Sequence, residues 1–198
     1  MPRTAEQNRV IRDKRKAKIT ERGIEFFAIF GPEEVVVDDI TKSLGCSHGL
    51  FYHYFENTEE LYAYIPEHVA EAPRLQPYRL PFDEIRALPI KEGILRLAEY
   101  INTVTTGTDL AVFVLKVYVE NVKSLSTFKA PSGHSYYEGL IDYIKRGQKE
   151  GVVVDGEPEE VARSFIDFLN GIVDRRILTK RKDYVPLPKE LIAHALLK

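Results

Sequence analysis

At 198 residues the chain can form one compact domain, or a small and a medium one, and its balance of 44% hydrophobic and 29% charged residues excludes a disordered or membrane-embedded chain. A single cysteine, Cys46, excludes an internal disulfide framework and fits a reducing compartment. The polar start offers no apolar export segment and the longest apolar run, Leu110 to Leu115, is only six residues, so a cytoplasmic location is expected.

The net charge of −2 announces no polyanionic partner, but its distribution is uneven. Basic residues crowd the start (Arg3, Arg9, Arg12, Lys14, Arg15, Lys16, Lys18, Arg22), whereas residues 31–60 hold only Lys42 against seven acids. Ile19, Gly23, Phe26, Phe27 and Phe30 follow helical spacing, and Gly31-Pro32 stops that helix. Val37, Ile40, Thr41 and Leu44 share a stripe on a second, short helix, which Gly45 closes in the left-handed conformation. Ser47 is placed to cap a third helix that ends at Phe55-Glu56-Asn57, and Thr58-Glu59-Glu60 opens a fourth. Five prolines between residues 66 and 89 mark a connecting region. Helices are predicted over Ile90–Val104, Asp109–Phe128, Tyr136–Lys149 and Glu157–Leu178, the last with proline and acids in its first turn. The chain reads as all-α.

Three chemistries compete for the ring-rich segment Gly45–Phe55. On a helix His48 and His53 diverge, so they cannot grip one metal ion, and Cys46 in the preceding turn suits a small buried hydrophobe. Gly133-His134-Ser135 lacks the nucleophile-elbow pattern, and neither a dinucleotide nor a phosphate-binding glycine loop occurs. No metal, no cofactor and no catalytic residue is expected. A helical wheel instead divides the segment into two faces. Phe51, Tyr54 and Phe55 point to a core, while Gly49, Tyr52 and His53 point outward with His48 and Leu50 beside them.

A short helix, a glycine turn and a serine-capped helix form a helix-turn-helix, whose second helix enters the major groove of DNA. Residues 35–61, VVVDDITKSLGCSHGLFYHYFENTEEL, resemble the DNA-binding motif of the TetR family of bacterial transcriptional regulators. Val37, Asp39, Ile40, Gly45, Ser47, Gly49, Tyr52, Tyr54, Phe55, Glu59, Glu60 and Leu61 match that pattern position by position. The preceding helix, ending in Phe30-Gly31, extends the likeness to about residues 10–62, and the stretch from Tyr143 to Asp174 is similar to the family's late helices. The chain departs from the pattern where His48 replaces a common lysine and Leu50 a common threonine. Residues 1–60 carry nine basic and eleven acidic residues.

The resemblance implies a helix-turn-helix DNA-binding domain over residues 1–62 and a helical effector-binding and dimerisation domain over 63–198. It places Ser47, His48, Gly49, Leu50, Tyr52 and His53 in or beside the groove. Val36, Val37, Asp38, Thr41 and Lys42 would lie near the DNA backbone, with Arg3, Arg9, Arg12, Lys14, Arg15 and Lys16 adding phosphate contacts. The implied protein is a homodimer that binds operator DNA and is released by a small-molecule effector, most simply a repressor. Its dimer face would be the helices Tyr136–Lys149 and Glu157–Leu178. Tyr100, Phe113, Tyr118, Tyr137, Phe165 and Phe168, with Tyr136 and Tyr143, either line an effector pocket or pack a core. Two other readings stay open: a TetR-like co-activator recruited by protein partners, and an α-helical enzyme.

Overall fold

The computed structural model describes residues 4–71, 75, 78, 80–122, 135–179 and 183–198. The fold is helical throughout, with α1 (Ala5–Phe30), α2 (Val37–Leu44), α3 (His48–Tyr52), α4 (Thr58–Glu71), α5 (Phe82–Ala87), α6 (Ile90–Thr106), α7 (Asp109–Asn121), α8 (Tyr136–Lys149), α9 (Pro158–Leu178) and α10 (Lys189–His194). They form two units, residues 1–71 and 72–198.

In the first unit α1 packs on α2 and α4, and α2 on α3. Thr4 and Gln7 form a reciprocal capping box that starts α1. The core is Ile19, Ile24, Phe27, Val35, Ile40, Phe51, Phe55, Leu61, Ile65 and Val69. Of the stripe expected on α1, Phe30 is exposed and only its stacking on Phe26 engages it. The expected boundary at residue 62 gives way to Glu71, because α4 runs on through Pro66. Ile65 and Val69, both fully buried, anchor the helix on either side of that proline and offset the one backbone bond it removes.

The second unit places α6 at its centre, in contact with α5, α7, α8 and α10, while α9 packs on α7 and α8. Its core is Ile90, Ile94, Ala98 and Ile101 on α6, Val112 and Leu115 on α7, Tyr143 and Ile144 on α8, and Phe165, Leu169 and Val173 on α9. Thr108, Ser135 and proline-led turns begin these helices, as the turn chemistry dictates. The α7 helix is described to Asn121, and the rest of the expected helix, to Phe128, lies outside the described residues, as do His134 and Arg3. Arg176, on α9, is buried and charged. Its Nε donates to the Thr105 carbonyl at 2.8 Å and its Nη2 pairs with Asp109 at 2.7 Å. The C-terminal tail returns to the loop after α8, where Val154 N–H donates to Leu196 and Lys198 N–H to Val152. This buries Ile192, Ala193 and Leu196 and creates α10, which the spacing of apolar residues did not announce.

Candidate functional site

The first surface of interest is built by α2 and α3. Gly45 adopts φ 61° and ψ 37°, a conformation costly for any residue with a Cβ, and so turns the chain sharply after α2. Asp39 accepts the Val36 N–H at 3.2 Å, and Ser47 Oγ accepts the Leu50 N–H at 3.3 Å. Both helix starts are thereby satisfied before any partner arrives. The α3 helix is shorter than expected, ending at Tyr52; a tight turn then brings Phe55 N–H to the Phe51 carbonyl at 3.0 Å.

The expected division of rings holds. Phe51 and Phe55 are fully buried and Tyr54 is half-buried, while His48, Gly49, Tyr52 and His53 are exposed. Tyr52 is 55% exposed and stands edge-on to Phe51, 5.8 Å between centroids, so the buried ring fixes the exposed one. His53 leans on Tyr54 in the same way, at 4.9 Å. Leu50 and Val37 are half-buried and Val36 is exposed. Cys46 is half-buried rather than a core residue, because the turn after α2 leaves one side open to solvent.

Two expected contacts change role. Thr41 is only 1% exposed, and its hydroxyl donates to the carbonyls of Val37 and Asp38 at 3.0 and 3.2 Å. It belongs to the packing of α2 and not to a DNA-facing surface. Lys16, on α1, lies with its Nζ 3.6 Å from the centroid of Tyr64 and 5.1 Å from that of Phe55. The ammonium is attracted to the ring faces there and is half-buried. Arg12, Lys14 and Arg15 remain exposed, and Arg9 pairs with Glu6 at 2.9 Å.

Electrostatics on this face converge on Asp38. Its carboxylate accepts from Lys42 Nζ at 2.6 Å and from His48 Nε2 at 3.1 Å. The hydrogen bond from Lys42, then that from His48, hold the Asp38 carboxyl below its usual range. Lys42 is raised in turn, chiefly by the same bond. The only cation of residues 31–60 is thus tied to an acid of its own helix.

The second site is a cavity within the second unit, about 80 Å³ in volume. Its wall combines Phe82 and Ile85 of α5, Ile94, Leu97 and Ile101 of α6, Leu115, Tyr118 and Val119 of α7, and Tyr136, Leu140 and Tyr143 of α8. Phe165, Ile166 and Leu169 of α9 complete it, with Leu80, Val122 and Leu196. Gly139 of α8 makes room for Phe82: a Cβ there would lie 2.4 Å from the ring. Of the six aromatics expected in a pocket, Tyr118 and Phe165 line it. Tyr100 is not in the wall but is coupled to it, since its hydroxyl feels those of Tyr118 and Tyr136. Burial above all raises its ionisation, and the hydroxyl donates to the Tyr78 carbonyl at 2.8 Å. Phe113 is buried but absent from the wall. Tyr137, whose hydroxyl reaches Glu159 Oε1 at 3.4 Å, and Phe168 are half-buried and also stand apart from it. Burial raises Tyr137, and Glu159 adds to this.

The stripe expected to form a dimer face on α9 is mostly spent on the unit's own core, where Phe165, Leu169, Ile172 and Val173 are buried. What α8 and α9 leave half-buried is Tyr137, Ile141, Val161 and Phe168. Among the described residues no group of three or more histidine, cysteine or acidic side chains gathers as a metal site, and no helix is long and apolar enough to cross a membrane.

Residues 19–65 match the family model described as bacterial regulatory proteins, tetR family. The chain matches no curated protein sequence. Solved structures share its fold along most of its length. The fatty acid degradation regulator FadR from Bacillus halodurans superposes with a TM-score of 0.61 at 15% identity, covering 91% of this chain and 92% of its own. AibR, in complex with isovaleryl coenzyme A and operator DNA, gives 0.60 at 17% identity, with 91% and 94% covered. A TetR-family transcriptional regulator from Haemophilus influenzae gives 0.56 at 15%, with 94% and 98% covered. The N-terminal segment is therefore a TetR-type helix-turn-helix, and the whole chain has the helical fold of TetR-family regulators.

Proposed function

We propose that this chain, with a TetR-type head and fold, is a transcriptional regulator that binds operator DNA as a homodimer and is released from it by a small molecule. The observation that carries the reading is the two-faced α3: Phe51 and Phe55 are buried, while His48, Gly49, Tyr52 and His53 form an exposed, capped and pre-organised surface. A helix presented in this way offers its N-terminal residues to base edges in the major groove. Leu50 and the ring of Tyr52 suit apolar contact with thymine methyls, and the Tyr52 hydroxyl suits a phosphate. Arg12, Lys14 and Arg15 supply salt-dependent contacts from α1. Val36, Val37 and Lys42 lie alongside.

The half-buried apolar residues left on α8 and α9 support dimerisation there, and two heads then read two half-sites of a palindrome. The effector reading is supported by the cavity of the second unit and by a structural neighbour that binds both a small molecule and operator DNA. Repression is the simplest output of such a device.

The test is an electrophoretic shift with DNA from upstream of the chain's own coding region, repeated between 50 and 300 mM salt. A shift that weakens with salt and is lost in Tyr52→Ala is expected. Sedimentation should give the mass of a dimer. Absence of any shift at low salt overturns direct operator binding and favours a protein recruited to promoters by partners.

A further inference from the structure

We propose that the occupant of the cavity in the second unit is an uncharged hydrocarbon group of about three or four carbons. The inference rests on the effector reading above and adds the chemistry of the ligand. No charged side chain lines the wall, and three of its residues are tyrosines. Their hydroxyls are engaged elsewhere. Tyr143 donates to the Ile90 carbonyl at 3.1 Å, Tyr136 reaches the Leu80 carbonyl at 3.5 Å, and Tyr118 has interactions of its own. What the wall presents inward is ring and aliphatic carbon. A carboxylate or ammonium placed there would lose its water without gaining a counter-charge, a cost of several kcal/mol per ion.

The rings do not form a cage for a cation either. Tyr136 is covered edge-on by Tyr118 at 5.8 Å and by Phe82 at 5.4 Å, so these faces are occupied by one another. Two guanidinium groups, Arg86 at 6.0 Å from Phe82 and Arg146 at 5.7 Å from Tyr143, already face lining rings. Neither arginine lines the cavity, so they repel a cation without offering an anion a partner inside it. Size sets the other limit. An apolar cavity of about 150 Å³ accepts benzene, roughly 25 Å³ per carbon, and leaves room here for about three carbons. Rotamer adjustment of Leu97 or Leu140, both half-buried, admits one more.

Such a group can arrive as a small neutral molecule or as the aliphatic end of a larger acyl compound whose polar part stays outside. The experiment uses the full-length chain and direct binding, by calorimetry and thermal shift, without DNA. Three probes carry one four-carbon group: isobutyramide, isobutyrate at pH 8, and isobutyryl coenzyme A. Isobutyramide is expected to bind saturably and at least tenfold more tightly than isobutyrate. Tighter binding of the thioester assigns the group to the end of an acyl compound; equal or weaker binding assigns it to a small neutral molecule. Leu115→Phe, which fills the cavity, should abolish binding while leaving the helical spectrum intact; if that variant does not fold, Leu115→Met must weaken binding by its smaller loss of space.

Equal affinity for amide and carboxylate, or retention of binding in the filled variants, overturns the proposal. So does failure of all three probes in a chain that shifts DNA normally. A chain that binds isobutyramide and shifts no DNA leaves this inference standing and overturns the operator reading instead.

Discussion

Asp38→Asn should strengthen DNA binding, contrary to the habit of treating a polar residue on a binding face as a contact. In the free protein the Asp38 carboxylate holds Lys42 Nζ at 2.6 Å and His48 Nε2 at 3.1 Å, with Lys42 77% and Asp38 42% exposed. Both donors lie at the edge of the surface that faces DNA, and the same carboxylate repels phosphate. Because Lys42 and His48 hold its ionisation down, Asp38 remains charged throughout the range in which binding is measured. The substitution removes one negative charge and keeps the volume. Each cation released to a phosphate steepens the plot of log affinity against log salt by about 0.9. Extrapolated from 1 M salt, where this contribution vanishes, one new contact raises affinity about fivefold at 0.15 M and two raise it about thirtyfold. Fluorescence anisotropy against operator and random duplexes, between 50 and 300 mM salt, reads both quantities. The gain should appear on both duplexes, since phosphates carry no sequence. An unchanged slope refutes the latch. A selective loss on the operator also refutes it and identifies Asp38 as a base contact, accepting from a cytosine amine.

Three further outcomes follow from the packing. Ser47→Ala removes the side-chain cap of α3 and should cost about 1 kcal/mol in urea unfolding, whereas Ser47→Asp should retain stability and weaken DNA binding through its charge. Asp109→Ala leaves the buried Arg176 guanidinium with only the Thr105 carbonyl and should destabilise the chain by about 1–3 kcal/mol; an unchanged midpoint refutes the buried pair. Burial raises the Tyr143 phenol from about 10 to about 12, with Arg146 opposing the shift. The folded state therefore prefers the neutral phenol, and this stability is complete below about pH 10 and lost as pH rises toward 12. Urea midpoints should fall across that window and fall less in Tyr143→Phe, and identical pH profiles would show the phenol to be irrelevant.

The head was legible because its information is local. Gly45, Ser47 and the alternation of buried and exposed rings act within a few residues of one another, and each has one physical solution. The wheel drawn through Phe51, Tyr52, His53 and Phe55 separates the same residues that burial separates. Its errors are equally local. Thr41 shares the apolar stripe of α2, and a threonine there can satisfy its hydroxyl on the preceding turn and be buried. Pro66 looked like a boundary because helix propensity counts against it. Burial of Ile65 and Val69 decided otherwise, which is tertiary packing overruling a local preference.

The cavity was legible only in part, for a reason that lies in how it is made. Its wall draws on five helices and on Leu196 of the tail, so no single segment carries its signature. Aromatic identity was the available clue, and it does not distinguish a ring facing a void from one facing another side chain. Phe113 and Tyr118 both belong to α7 and both are buried, yet only Tyr118 reaches the wall. The aliphatic majority of the lining is chemically identical to the core around it. What separates the two is a gap of about 80 Å³ left where Gly139 admits Phe82 and three tyrosines turn their hydroxyls to backbone carbonyls or one another. A void of that kind leaves its lining without contact partners and therefore weakens the fold that contains it. Filling it with matched hydrocarbon should raise stability and ligand affinity together, so thermal shift is the direct measure of whether this unit is built to be occupied.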